Sequence, residues 1–271
     1  MRFVSGHDFS RAERMPHFRG FSRCNAPWLL ALICVFAGIF PCTAYAQDER
    51  SVKSPDGQLE FRLFTALPEG SILNCLAYQV WLRGKPVIDT SYLGLDIEYQ
   101  EPLLGENVGL SADHPIHEAH YNGLWADYLQ TSTTGRRIQF EVRVWNDAVA
   151  FRYIVPRSAL LFDLAIADDT TQFRFTGDSE ALPAAAQLPF IRELPSIGWI
   201  GVYEQDPAGF PKAELKRFDT QTMVSHLPGG SHDETAAFQT KTPWTGPWHI
   251  IAIAANREAL AQSEVFRELV K

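Results

Sequence analysis

An antiparallel all-β sandwich is the fold class that this sequence predicts, on three observations. Apolar and polar residues alternate with period two through most of the chain after Ser51, Gly/Pro turn clusters separate the alternating runs, and helical patterning is confined to one short stretch near the C-terminus. The composition agrees. With 46% hydrophobic and 21% charged residues the chain is globular in make-up, which sets aside collagen-like, coiled-coil and disordered architectures.

The N-terminus is read first as a targeting segment. Arg2, Arg11, Arg14, Arg19 and Arg23 precede an uncharged, largely apolar run over 26–40, and Ala44-Tyr45-Ala46 supplies a cleavage site, so residues 1–46 are expected to be a secretory signal. Met15 as the initiator would give the basic region a more ordinary length. The apolar run is short of the roughly 20 residues a membrane span needs, and no later run is longer, so no membrane association is expected after cleavage. Residues 47–271 are then one sandwich domain, soluble in the periplasm. Cys24, Cys34 and Cys42 fall in the signal, which leaves Cys75 without an intramolecular disulfide partner. Inside a strand it reads as a small core hydrophobe. The whole chain carries a formal charge of −8, and the signal removes more arginines than acids. Nucleic acid is therefore excluded as a partner, since phosphate binding needs a basic surface.

The elements follow in order. Pro55-Asp56-Gly57 is a turn, and Leu59-Glu60-Phe61-Arg62-Leu63 and Tyr78-Gln79-Val80-Trp81-Leu82 alternate as strands. Arg83-Gly84-Lys85-Pro86 closes a hairpin, because Gly supplies positive φ and Pro fixes the exit. The run Leu93 to Tyr99 alternates with one break. Ile138 to Trp145, a pause at Asn146-Asp147, and Val149 to Val155 form a second hairpin. Gln172 to Phe175 adds a strand, and Ile250 to Ala254, apolar on both faces, reads as central in a sheet. Asn256 can cap a helix over 256–263. The stretches 181–198 and 225–242 read as irregular loops.

Candidate chemistry is sparse. His114, His117 and His120, with Asp113 and Glu118, could hold zinc, though they read first as a polar loop leading to a strand at Tyr121. No nucleophile elbow, phosphate-cradling loop or H-E-x-x-H occurs. Asp163, Asp168, Asp169 and Asp178 read as turn and loop residues. Glu204 stands apart, because it ends the apolar strand 197–203 and precedes a Pro/Gly-rich turn, which suits a carboxylate facing a cleft.

Several segments resemble one family. Ser54-Pro55-Asp56-Gly57-Gln58-Leu59, Gly84-Lys85-Pro86-Val87-Ile88, Ser91-Tyr92-Leu93-Gly94-Leu95, His120-Tyr121-Asn122 and the run Phe140 to Tyr153 are similar to motifs of the N-terminal domain of glycoside hydrolase family 97. Tyr203-Glu204-Gln205, Phe210-Pro211, Ser225-His226-Leu227, Thr242-Pro243-Trp244 and Pro247-Trp248 continue the likeness, with His249 where the family has Arg. The resemblance implies a galactose mutarotase-like antiparallel β-super-sandwich. In the full-length family a (β/α)8 barrel follows, carrying the catalytic carboxylates and most calcium ligands, and this chain ends where the linker to it should begin. The resemblance makes Glu204 the sandwich's own calcium ligand. One carboxylate binds calcium weakly, so weak or no calcium binding is expected of this chain alone.

The expectation is a detached or truncated module with no catalytic residue of its own. It associates with carbohydrate, an α-glucoside or α-galactoside, or with a separately encoded hydrolase barrel. The alternatives are a free-standing sugar-binding protein or a mutarotase-like enzyme using His117, His120 and Glu118. A sandwich made to pack on a barrel should also expose an apolar patch, with Trp199, Phe210, Trp244 and Trp248 at its edge.

Overall fold

The structure is a computed structural model that describes residues 47–131, 135–157, 161–177, 181–205, 209–232 and 234–269. Residues 1–46, expected from the sequence to be a signal, and Asp178 lie outside the described residues. Eight strands form the first sheet, in the order β1 (Gln47–Lys53), β2 (Leu59–Ala66), β3 (Cys75–Leu82), β4 (Lys85–Tyr92), β12 (Gln172–Phe175), β17 (Thr222–His226), β16 (Glu214–Arg217) and β13 (Ala185–Gln187). The second runs β14 (Phe190–Leu194), β15 (Gly198–Glu204), β20 (His249–Ala254), β10 (Ala148–Val155), β9 (Arg137–Val144), β8 (Asn122–Gln130) and β7 (Val108–His117), with β19 (Trp244–Thr245) also paired to β10. A third, smaller sheet runs β18 (Phe238–Lys241), β11 (Asp163–Asp169), β5 (Leu95–Ile97) and β6 (Gln100–Leu104). Neighbouring strands are antiparallel, which is the sandwich that the alternating pattern predicts.

Local chemistry sets the turns. Arg83 and Gly84 both take positive φ, 51° and 74°, the two-residue geometry that matches strand twist, and Leu82 pairs with Lys85 across it. Asp56 Oδ1 accepts from Ser54 Oγ at 2.6 Å and from the Gln58 N–H at 3.0 Å, and Gly57 at φ 71° turns the chain from β1 into β2. With side chains alternating across each strand, Phe61 and Tyr78 from the first sheet meet Phe151 from the second at ring separations of 5.8 and 5.0 Å. All three are fully buried, each burial contributing about 1.5–3 kcal/mol. This aromatic cluster joins the two layers.

β20 is central, between β15 and β10, as its doubly apolar sequence predicts. Ile251 and Ile253 face the inter-sheet core, while Ile250 and Ala252 face outward with Trp145, Ala148 and Trp248. That outer face is covered by Leu260, Val265 and Leu269 of two short helices, α1 (Arg257–Leu260) and α2 (Glu264–Leu269). The single helix read from the sequence is thus split, and its cap is present: the Ala259 N–H donates to Asn256 Oδ1 at 2.9 Å.

Other expectations are corrected. The polar loop at 113–117 is part of β7, an edge strand whose exposed Asp113, His114 and Pro115 hide the alternation and blunt the edge. Asp163, Asp168 and Asp169 lie in β11 rather than in turns, and the supposed loops contain β13, β14 and β18. Of the four aromatic residues expected at an exposed patch, Phe210 and Trp248 are buried, and Trp199 and Trp244 are half-buried. Trp248 is covered by cations, the Arg152 and Arg143 guanidinium carbons standing 4.3 and 4.7 Å from its ring.

Candidate functional site

Glu204 is the last residue of β15 and pairs in register with His249, the first residue of β20. Alternation turns Glu204 inward and sends Tyr203 and Gln205 to the opposite face. There Tyr203 packs edge-on against Phe266 at 4.7 Å, and Gln205 donates from Nε2 to the Leu269 carbonyl. Tyr203 and Gln205 therefore serve the helical cover rather than the inward cluster.

Asp169, the last residue of β11, completes that cluster. Its Oδ1 accepts from the Thr171 N–H at 2.9 Å and from Thr171 Oγ1 at 2.6 Å, and its Oδ2 lies 3.1 Å from His249 Nε2. The Asp169 and His249 side chains are each 2% exposed, while Glu204 is half-buried and accepts the Ala213 N–H on Oε2 at 3.2 Å. One donor atom from each of the three residues falls within 4.8 Å of the others. Phe151, Tyr153 and Phe173 wall the imidazole at ring separations of 5.3, 5.8 and 6.5 Å.

The electrostatics are those of a buried charge network. Burial pushes the Asp169 carboxyl up, but the His249 charge and the Thr171 donors outweigh it and hold the group below the usual carboxylate range. Burial likewise pushes His249 down, and Asp169, then Glu204, reverse this and leave it above the ordinary imidazole value. In the metal-free cluster the two neighbouring carboxyl groups favour the protonated form of the imidazole. As a calcium site it does not fit, because calcium takes six to eight oxygens, whereas this cluster offers a nitrogen and two carboxylates already holding protein donors. The sequence singles out Glu204, whereas Asp169 reads as a turn residue and His249 only as a replacement for Arg. The one available signal was that each ends or begins an apolar strand.

A second concave feature lies on the outer face of the first sheet. It is a cleft of about 760 Å³ whose lining includes Tyr92, Arg174, Phe218 and Asp219, with Glu69 and Glu106 among its loop residues. Asp219 Oδ1 accepts the N–H groups of Gln221 and Thr222, both at 2.8 Å, and its Oδ2 lies 3.7 Å from Arg174 Nη1. Partial burial raises the Asp219 carboxyl, but these amides and Arg174 outweigh it and hold the group ionised below its ordinary range. Phe218 is 68% exposed at the rim. No sequence signal marks this cleft, because its residues come from β3, β4, β6, β12, β17 and loops far apart in the chain.

The histidines flagged from sequence are elsewhere. His114 stacks on Trp125 at 4.9 Å, His117 Nδ1 lies 3.2 Å from Asn122 Oδ1, and His114, His117, Glu118 and His120 are all exposed. Among the described residues they form no group able to hold a metal. His226 is instead tied by Nδ1 to Asp168 Oδ2 at 2.7 Å, and Asp168 Oδ1 also accepts the Leu227 N–H at 2.6 Å, anchoring the chain as it leaves β17.

Two large antiparallel sheets with a capped outer face define a β-super-sandwich module, and its relatives belong to the sugar-hydrolysing enzymes. Residues 52–186 match the family model described as glycosyl-hydrolase 97 N-terminal, and the chain belongs to that family as an N-terminal domain. No curated protein matches the sequence significantly. Among solved structures, a glycoside hydrolase family 97 enzyme from Pseudoalteromonas sp. strain K8 in complex with acarbose superposes with a TM-score of 0.68 at 18% identity, over 81% of this chain and 38% of that one. The E480Q form of that enzyme, in complex with panose, gives the same figures. A beta-arabinopyranosidase superposes at 0.62, also at 18% identity, over 78% of this chain and 40% of its own. At these identities the likeness shows the fold. The chain spans about two fifths of the length of these neighbours, and the described residues include no (β/α)8 barrel.

Proposed function

We propose that this sandwich is a carbohydrate-associated, non-catalytic module of a family 97 glycosidase. It is secreted to the periplasm after loss of residues 1–46 and works beside a catalytic barrel on another chain. The observation that carries the reading is the family match, together with neighbours crystallised on acarbose and panose. The sugar is an α-glucoside or α-galactoside, and calcium is bound weakly or not at all.

The outer cleft is where such a sugar fits. A pyranose has apolar C–H faces and a rim of hydroxyls, so it needs an aromatic surface beside forked charged groups. Phe218 and Tyr92 offer the first, and Arg174 with Asp219 the second. The same cleft favours the free-standing sugar-binding reading over the mutarotase-like one, since it needs no barrel and no acid–base pair. Titration calorimetry with maltose and melibiose tests the proposal. Saturable binding of either sugar, weakened in Phe218→Ala and Arg174→Ala, is the expected result, and no heat with either sugar at millimolar concentration contradicts it.

A further inference from the structure

We propose that Asp169, Glu204 and His249 form a binding site for a borderline divalent cation of the zinc class, with a donor chemistry unlike that of calcium. The inference is independent of the sugar cleft. Imidazole and carboxylate are both zinc ligands, and three protein ligands leave a fourth position open, the number that this cluster supplies. The 3.1 Å between Asp169 Oδ2 and His249 Nε2 is close to the roughly 3.4 Å separating two tetrahedral ligands that each lie about 2.0–2.1 Å from zinc. One donor atom of Glu204, the half-buried member, lies within 4.8 Å of the other two, and its exposure marks the entry path.

The surroundings are those of a supported metal site. Thr171 donates twice to Asp169 Oδ1, which fixes the carboxylate and leaves Oδ2 directed at the imidazole. Ala213 holds one Glu204 oxygen in the same way. His249 Nε2 makes no well-aligned hydrogen bond although the ring is buried and Asp169 Oδ2 stands 3.1 Å away, and Phe151, Tyr153 and Phe173 enclose the ring in an apolar shell. The three ligands come from the ends of β11, β15 and β20, so one ion would tie the third sheet to two interior strands of the second.

Chelator-treated protein provides the test, by thermal unfolding and calorimetry with zinc chloride and with calcium chloride, for the native chain and for Glu204→Gln and His117→Ala. The expected result is one equivalent of zinc, a rise in unfolding midpoint with zinc concentration and none with calcium. Affinity should fall at least about tenfold in Glu204→Gln and stay unchanged in His117→Ala. No zinc binding, or a calcium shift as large as that with zinc, overturns the proposal. Binding that survives Glu204→Gln undiminished overturns it, and binding lost in His117→Ala places the ion on the exposed histidines and overturns it too. Should Glu204→Gln lower the metal-free midpoint, cobalt bound to the native chain decides instead: intense tetrahedral visible bands support the site, and a pale octahedral spectrum refutes it.

Discussion

Asp169 and His249 form an ion pair of 3.1 Å with both side chains 98% removed from solvent, joining the end of β11 to the start of β20. His249 also faces Glu204 across the β15–β20 ladder. Removing one member of such a pair strands the other as a buried, uncompensated charge. In metal-free protein His249→Ala should therefore cost roughly 3–5 kcal/mol of unfolding free energy. Urea denaturation measures it, and a loss under about 1 kcal/mol would mean that Asp169 is satisfied without its partner.

A pH-dependent prediction rests on Glu141. Burial raises its carboxyl, but donors on Arg143 and Arg152 outweigh this and hold it below the usual range. A carboxylate depressed by folding stabilises the native state above its unfolded value of about 4.3, and that contribution is lost as pH falls through the folded value. Glu141→Gln should therefore be destabilised by about 2 kcal/mol at neutral pH, with the gap to the native chain narrowing below about pH 4. A gap of constant size across that range would show that the arginines contribute by packing on Trp248 alone.

Cys75 is the free thiol of the described residues, and it is buried. Burial, helped by the neighbouring Glu106 carboxylate, pushes its pKa up to about 12, so almost no thiolate exists at neutral pH. Native protein should resist iodoacetamide at pH 8 and label fully in guanidinium. Rapid labelling of the native state, followed by mass spectrometry, would contradict this.

Among the described glycines, Gly230 leaves the least room for a side chain. A Cβ there would lie 1.8 Å from the Ala167 carbonyl oxygen, so the chain leaving the Pro228-Gly229 turn could not pass β11 with any side chain at this position. Gly230→Ala should cost at least about 1–3 kcal/mol, read from the unfolding midpoint. An unchanged midpoint would show that the segment can shift away freely.

The legible parts of the fold are those where one face is buried and the other wet. β2, β3, β9 and β10 announce themselves by alternation because their inward residues join a common core. β7 escaped because an edge strand carries polar residues and a proline, and β11 because its terminal Asp168 and Asp169 look like turn residues while each answers a histidine distant in the chain. Glu204 could be picked out by its place at the end of an apolar strand. Its partners could not, since cross-strand and cross-sheet register is not written in local sequence.

The central claim is that the sandwich engages sugar without hydrolysing it. The most direct measurement is chromatographic assay of purified protein, with calcium and with zinc, for glucose or galactose released from maltose, melibiose and aryl α-glycosides. Release equal to buffer over many hours, from protein that binds one of these sugars in calorimetry, is the expected result. Sustained turnover that co-purifies with the chain and disappears on its heat denaturation would contradict the account and place a catalytic centre within the sandwich itself.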